Sequence, residues 1–278
     1  MNLRKITAAT AAALALSVAA TACGSGGGGG ADGGGKKIAV GIKFDQPGIG
    51  LKTPDGKYTG FDVDVATYVA KQLGYEPGDI VWKEAKSADR ETLLQRGDVA
   101  FIAASYSIND ERKKKVDFAG PYLLAHQDVL VRADDDSIKS PADLNSKKLC
   151  SVTGSTSAQN VKTRLAPQAQ LQEYGGYSEC LTGLENKAVD ALTTDDSILA
   201  GYAAQDQFKG KFKLGGFKMS NENYGIGVQK GDTELKNKIN AALQKMVDDG
   251  TWEAYVKKNF GPANYRNEPP PKIGVVVS

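Results

Sequence analysis

Residues 58–66 read YTGFDVDVA, and the fold works outward from them. The stretch opens a helix: Ala66, Val69, Ala70 and Leu73 recur at helical spacing, and Gly74 stops the run. Before it, residues 37–42 (KIAVGI) form a compact apolar strand. After it come a strand over 80–83, a helix over 89–96 closed by Gly97, and a buried strand over 99–103. A second set repeats the alternation. Strands are predicted over 149–152, 170–173 and 189–192, with helices over 155–165 and 178–187. A strand over 224–228 and helices over 234–247 and 252–259 follow, and the tail from Arg266 holds three consecutive prolines and reads as extended. Alternation at this spacing predicts an α/β fold of mainly parallel sheets, covered by helices on both faces.

The length, 278 residues, suits two ordinary domains or one large one. With 24% charged, 8% aromatic and 41% hydrophobic residues, the composition is that of a soluble globular protein, not of a disordered or multi-pass membrane chain. The net charge of +2 comes from Arg4 and Lys5, leaving a body balanced at 33 basic against 33 acidic residues. That balance argues against nucleic acid as a partner, since phosphate binding needs a basic surplus. A single histidine, His126, excludes multi-histidine metal sites and leaves little for a Ser-His-Asp triad. No metal or cofactor is implied.

Residues 1–22 read as an export signal: Arg4 and Lys5, then a weakly apolar Ala/Leu-rich stretch too short to span a bilayer, then Ala20-Thr21-Ala22. Cys23 at the cleavage point resembles the lipid-carrying cysteine of bacterial lipoproteins, against the plainer reading of a signal peptide with an incidental cysteine. Residues 24–35 contain nine glycines and nothing apolar larger than alanine, so 23–35 reads as an anchor and flexible linker. Two further cysteines, Cys150 and Cys180, read as a disulfide in an exported chain, the alternative being two buried thiols.

Four segments together carry a resemblance: YTGFDVDVA from Tyr58, SYSINDERKKKVDFAGPY from Ser105, VTGSTS from Val152 and VDALTTDD from Val189. They resemble the polar amino-acid-binding proteins of bacterial ABC importers, most of all the glutamate-binding lipoproteins, over roughly residues 36–261. The resemblance implies a two-lobed, periplasmic-binding-protein-like (type II) fold whose two crossover strands form a hinge. The crossings fall near 124–127 and 221–224, which makes lobe one 36–125 plus 224–265, lobe two 126–223, and 266–278 a tail.

It also assigns roles. The arginine of the motif forks onto the ligand α-carboxylate, which here is Arg112, and a guanidinium suits that task because its donors lie parallel. Without the resemblance, residues 110–115 read as a solvated charged face, and the lysines at 113–115 keep that reading. Ser107 offers its hydroxyl and Ser105 its backbone groups. The TGSTS run at 153–157 fails as a phosphate loop but supplies a helix start, with Ser155 a natural N-cap. There the resemblance gives the Thr156 amide to the α-carboxylate. Asp195 takes the α-ammonium and Asp196 caps the following helix. Lys43 and Arg90 meet a side-chain carboxylate, while Lys86 stays undecided. Relatives that bind neutral side chains tend to carry aromatics on this wall, where this chain has Phe44, Asp45, Gln46 and Ser87. His126, at a crossover, reads as hinge-facing or solvated rather than as a catalytic base. The implied ligand is L-glutamate first and L-aspartate second, bound by a monomer that hands it to an ABC permease. The rivals are a carboxylate dehydratase-like enzyme on the same fold, which would need an acid/base pair in the cleft, and a ligand sensor for a membrane kinase.

Overall fold

The computed structural model describes residues 36–277. The predicted signal over 1–22, the lipidation at Cys23 and the glycine-rich linker lie outside the described residues. In chain order the strands and helices are β1 (Ile38–Ile42), β2 (Asp45–Gln46), β3 (Gly50–Lys52), β4 (Tyr58–Thr59), α1 (Phe61–Gln72), β5 (Ile80–Glu84), α2 (Arg90–Arg96), β6 (Phe101–Ile102), α3 (Asp110–Lys113) and β7 (Val116–Arg132). There follow β8 (Lys148–Val152), α4 (Thr156–Asn160), β9 (Gln170–Tyr174), α5 (Tyr177–Glu185), β10 (Ala191–Asp195), α6 (Asp196–Ala203), β11 (Phe212–Leu214), β12 (Asn221–Gln229), α7 (Thr233–Asp248) and α8 (Thr251–Phe260).

Helix α1 starts where the quoted stretch places it. Gly60 precedes it at φ +124°, and a Cβ there would stand 2.3 Å from the Ile49 carbonyl oxygen, so only glycine fits. Asp62 and Asp64 sit in the first turn, where the helix dipole favours carboxylates. Phe61, Val65, Ala66, Val69 and Ala70 are buried, as the periodicity requires.

Strands run in the order β5-β1-β6-β12-β7-β10-β8-β9, with β11 beside β7. The outer pairs, β1 with β5 and β6, and β8 with β9 and β10, are parallel, as the alternation predicts. The central pairs of β12 with β6 and β7, and of β7 with β10, are antiparallel. The difference lies in β7, a 17-residue strand reached from β6 through only the four-residue helix α3. Up to His126 it pairs with β12, and from Gln127 it pairs with β10, so one strand serves the sheets of both lobes. Residues 45–59 add a three-stranded antiparallel sheet, β2-β3-β4, that the alternation did not predict; its strands are two or three residues long, too short for a periodic signal. The tail has no helix or strand through residue 277 but is tied to the crossing. Glu268 meets His126 Nε2 at 3.0 Å, Gly274 N donates to Gly120 O, and the buried Asn223 amide pairs with the Val277 backbone.

The start of α1 is fastened from inside. Asp62, 0% exposed, accepts from the Ser105 backbone N–H at 2.7 Å and from the Tyr122 hydroxyl at 2.7 Å. One carboxylate therefore joins α1, the loop after β6 and the strand β7. Burial pushes its pKa up to about 6, against the pull of those two donors. On the far side of the fold, Cys150 of β8 and Cys180 of α5 are disulfide-bonded and fully buried.

Two expected outcomes follow from these fastenings. The disulfide closes a loop of about 30 residues, worth roughly 3–4 kcal/mol through the unfolded chain. Replacing Cys150 and Cys180 together by alanine should lower the free energy of chemical unfolding by that order, and a loss under about 1 kcal/mol would contradict it. Asp62 gives a pH signature. Its folded pKa lies above the unfolded value of 3.8, so the neutral acid is favoured by folding. That stabilisation is complete below about pH 4 and is lost as pH rises through about 6. Asp62→Asn, locked neutral, should gain on the parent between pH 4 and 6, by up to about 3 kcal/mol. A constant gap across that window would reject the buried-acid account.

Candidate functional site

The sheet edges deliver their loops to one cleft. From the first lobe come the ends of β1, β5 and β6 and the short helix α3; from the second, the starts of α4, α5 and α6. The lobes touch across it. Arg112 Nη2 donates to the Gly154 carbonyl at 2.9 Å, and the Tyr177 backbone N–H donates to Asp45 Oδ2 at 2.9 Å. The Tyr202 hydroxyl donates to the Asp45 carbonyl. Gly201 allows the approach, since a Cβ there would stand 2.0 Å from Pro47 O. Between the lobes lies a narrow cavity lined by Ser87, Arg90, Ser105, Arg112, Thr156 and Asp195, which shares Ser87, Arg112 and Thr156 with a broader cleft that also reaches Ser107 and Glu222.

Arg112 is held for use. Asn109 caps α3 by accepting from the Arg112 backbone N–H at 2.8 Å, which sets the side chain's origin. Its Nη1 donates to Ser107 O at 2.7 Å, and its Nε stands 3.7 Å from Glu91. The guanidinium also lies 5.1 Å from the centre of the Tyr106 ring. It is 7% exposed, facing the cleft rather than the solvated surface that residues 113–115 keep.

Ser105 takes φ +44°, a left-handed conformation uncommon for serine, with its N–H held by Asp62. Ser107 pairs with Tyr224 in an isolated bridge, which stitches the motif to β12. On the facing lobe, Ser155 caps α4 by accepting from Ala158 N at 3.0 Å. The Thr156 hydroxyl donates to Glu222 at 2.8 Å.

Asp195 ends β10, 4% exposed, and accepts from the Tyr224 hydroxyl at 2.5 Å and from Ser157 at 3.4 Å. Burial, then the nearby Glu222 carboxylate, pushes its pKa well up. The capping position of α6 belongs to Asp195, not Asp196. Asp196 is the first helical residue, and its carboxylate accepts from Ser197 N, His126 N and the Tyr265 hydroxyl. It ties the helix to the crossing strand and to the segment after α8.

The remaining basic residues divide. Lys43 is buried with Nζ donating to Ser87 at 2.7 Å, and burial together with Arg90 holds its pKa well below the usual value. Arg90, 1% exposed, donates to Ala104 O and Ser105 O and lies 4.1 Å from the Tyr106 ring centre. Burial and the charge of Arg112 bring its pKa down to about 10. Among the described residues, neither Lys43 nor Arg90 meets a carboxylate within ion-pair distance. Lys86 is exposed on an outer cleft beside Asp45 and Glu84. His126 turns to Glu268, on the hinge side.

Six of the seven predicted contact residues, Arg90, Ser105, Ser107, Arg112, Thr156 and Asp195, line this cleft, while Lys43 lines the outer cleft with Lys86 and reaches the site through its bond to Ser87. Sequence reading missed Asp62, Glu222 and Tyr224. Asp62 stood inside the quoted motif, but only its position on the buried face of α1 separates it from Asp64, which pairs with Lys258 at the surface. Glu222 and Tyr224, two apart on β12, share a face of that strand, a signal that emerges only once residues 221–229 are known to be extended.

Residues 38–262 match the model of the bacterial extracellular solute-binding proteins, family 3. The chain is 49% identical over 234 residues to the glutamate-binding protein GluB of Corynebacterium efficiens, covering 81% of this chain and 79% of that one. It is 40% identical over 224 residues to the ABC transporter glutamine-binding protein GlnH of Bacillus subtilis, covering 80% of each. Among solved structures it is similar to an ancestral arginine-binding protein bound to arginine, with a TM-score of 0.75 and 37% identity over 81% of this chain and 99% of the other. Sequence motifs, two-lobed fold and cleft agree, and the chain belongs to the bacterial extracellular solute-binding proteins of family 3, as an amino-acid-binding protein of the ABC-importer type and not as an enzyme.

Proposed function

We propose that this protein captures L-glutamate, with L-aspartate second, outside the cytoplasm and delivers it to an ABC permease. In this reading Cys23 carries a lipid anchor and the mature protein works as a monomer. Lobe one is residues 36–125 with 224–265, lobe two is 126–223, and closure rotates them about the crossings of β7 and β12. Arg112, with Ser107, the Ser105 backbone and the Thr156 amide, holds the α-carboxylate, and Asp195 holds the α-ammonium.

The observation that carries the acidic side chain is the charge left over. Once Arg112 and Asp195 are matched to the zwitterion, Lys43 and Arg90 are two buried cations without an ion-pair partner among the described residues. Burying cations unpaired is costly, and a side-chain carboxylate offsets that cost where a neutral amide does not. Of the relatives, the glutamate-binding protein is more similar to this chain than the glutamine-binding one, which points the same way. Closure displaces water, so the charge-assisted hydrogen bonds act at reduced dielectric. Contacts from both lobes shift the hinge equilibrium toward the closed form.

Arg112→Ala should weaken glutamate binding by roughly 3–5 kcal/mol, because it strands a buried anion, and Arg112→Lys should recover only part of that. Binding within threefold of the parent, with the fold intact by circular dichroism, would remove Arg112 from the clamp. A calorimetric panel of the twenty amino acids should rank glutamate first, aspartate next and glutamine about 10⁴-fold behind glutamate. Glutamine or arginine binding more tightly than glutamate would overturn the acidic assignment.

A further inference from the structure

Two buried donors have no hydrogen-bond partner among the described residues, Arg90 Nε on the wall of the narrow cavity and Gln46 Nε2 behind Ser105 of that wall, and neither has the Tyr106 hydroxyl of the ring beneath Arg90. Both side chains are sealed from solvent, and both are joined to Ser105. Arg90 Nη1 donates to the Ser105 carbonyl at 3.2 Å, and the Ser105 hydroxyl donates to Gln46 Oε1 at 3.1 Å. Ser105 and Arg90 line the cavity, and Ser105 holds its left-handed backbone there. Strained, over-determined residues of this kind gather at ligand clamps. A buried N–H without an acceptor costs the desolvation of that group, so two of them flanking one cavity residue call for an acceptor at that wall.

We propose that Gln46 is a specificity-determining residue whose side-chain NH₂ donates, beside Arg90 Nε, to the side-chain carboxylate of the bound amino acid. The proposal deepens the acidic reading and rests on it. Both unpartnered groups can only donate, and an ionised carboxylate can only accept. A ligand amide of the same shape accepts from one of the two donors through its oxygen but turns its own NH₂ toward the other, leaving that donor and the NH₂ unsatisfied. Glutamine is then refused by the sign of its hydrogen bonds rather than by its size. Because Gln46 is neutral, it adds this discrimination without a further buried cation beside Lys43 and Arg90.

The test is calorimetry on the full chain with L-glutamate and L-glutamine, comparing Gln46→Glu and Gln46→Met with the parent. Gln46→Glu keeps an acceptor for the Ser105 hydroxyl but replaces the donor by an anion, so the glutamate-to-glutamine affinity ratio should fall by at least about a hundredfold. Gln46→Met removes the donor at similar length and should weaken glutamate by about tenfold or more. A purely structural role would weaken both ligands alike and leave the ratio unmoved. Ratios within threefold of the parent in both variants would overturn the proposal. If the parent itself prefers glutamine, the acidic reading fails separately. In that case a tenfold loss of glutamine binding in Gln46→Met still supports Gln46 as the side-chain donor, and no loss overturns it.

Discussion

The carboxylate of Asp62 is the point on which the site's geometry turns. With one oxygen it fixes the Ser105 backbone in a left-handed conformation, and with the other it holds the Tyr122 hydroxyl of the strand that crosses between lobes. Neither partner could supply this alone. A serine at positive φ is unfavourable unless something over-determines it, and a buried acid is unfavourable unless its lone pairs are met. Each liability answers the other. The consequence runs outward: Ser105 positions the carbonyl that Arg90 grips and the hydroxyl that Gln46 accepts, while two residues on, the Ser107 carbonyl steadies Arg112.

Asp62 also changes the charge balance of the cleft. Counted from sequence, Lys43, Arg90 and Arg112 face Asp195 alone. The structure adds Glu91 beside Arg112, Glu222 beside Asp195, and Asp62, whose pKa the nearby Lys43 and Arg90 draw down while burial drives it up. Because its oxygens are spent on Ser105 and Tyr122, it tempers the positive field without forming an ion pair with either base. The arrangement leaves the cations poised: neutralised enough to be buried, unpaired enough to prefer an anion.

Much of this was legible in the sequence, and the reasons are specific. Helix α1 declares itself because its apolar residues repeat at 3.6 and glycine bounds it, and the outer parallel strands because each is a short apolar run between such helices. Arg112, Thr156 and Asp195 could be placed because they sit in motifs at element ends. The long strand β7 was not legible as one element. Its residues pass from one sheet to another, so its burial follows neither a simple alternation nor a continuous apolar run. Gln46 was legible on the wall but not in its role, and Glu222 not at all, for a different reason: a polar residue announces nothing until burial shows that water is not its partner.

The two ends of the cleft are built differently, and that difference bears on how ligand choice can change. The end assigned to the zwitterion leans on backbone groups and helix starts, namely the Ser105 conformation, the Asn109 cap that sets Arg112 and the Ser155 cap that opens α4. Altering it means altering the fold. The end assigned to the side chain presents mainly side chains: Lys43 on Ser87, Arg90 over Tyr106 and anchored on the Ala104 and Ser105 carbonyls, and Gln46 on Ser105. Substitution at Lys43 or Gln46 can reverse charge or hydrogen-bond sign while their neighbours' backbone contacts survive. Such a division accounts physically for relatives of one fold whose names record glutamate, glutamine and arginine as ligands.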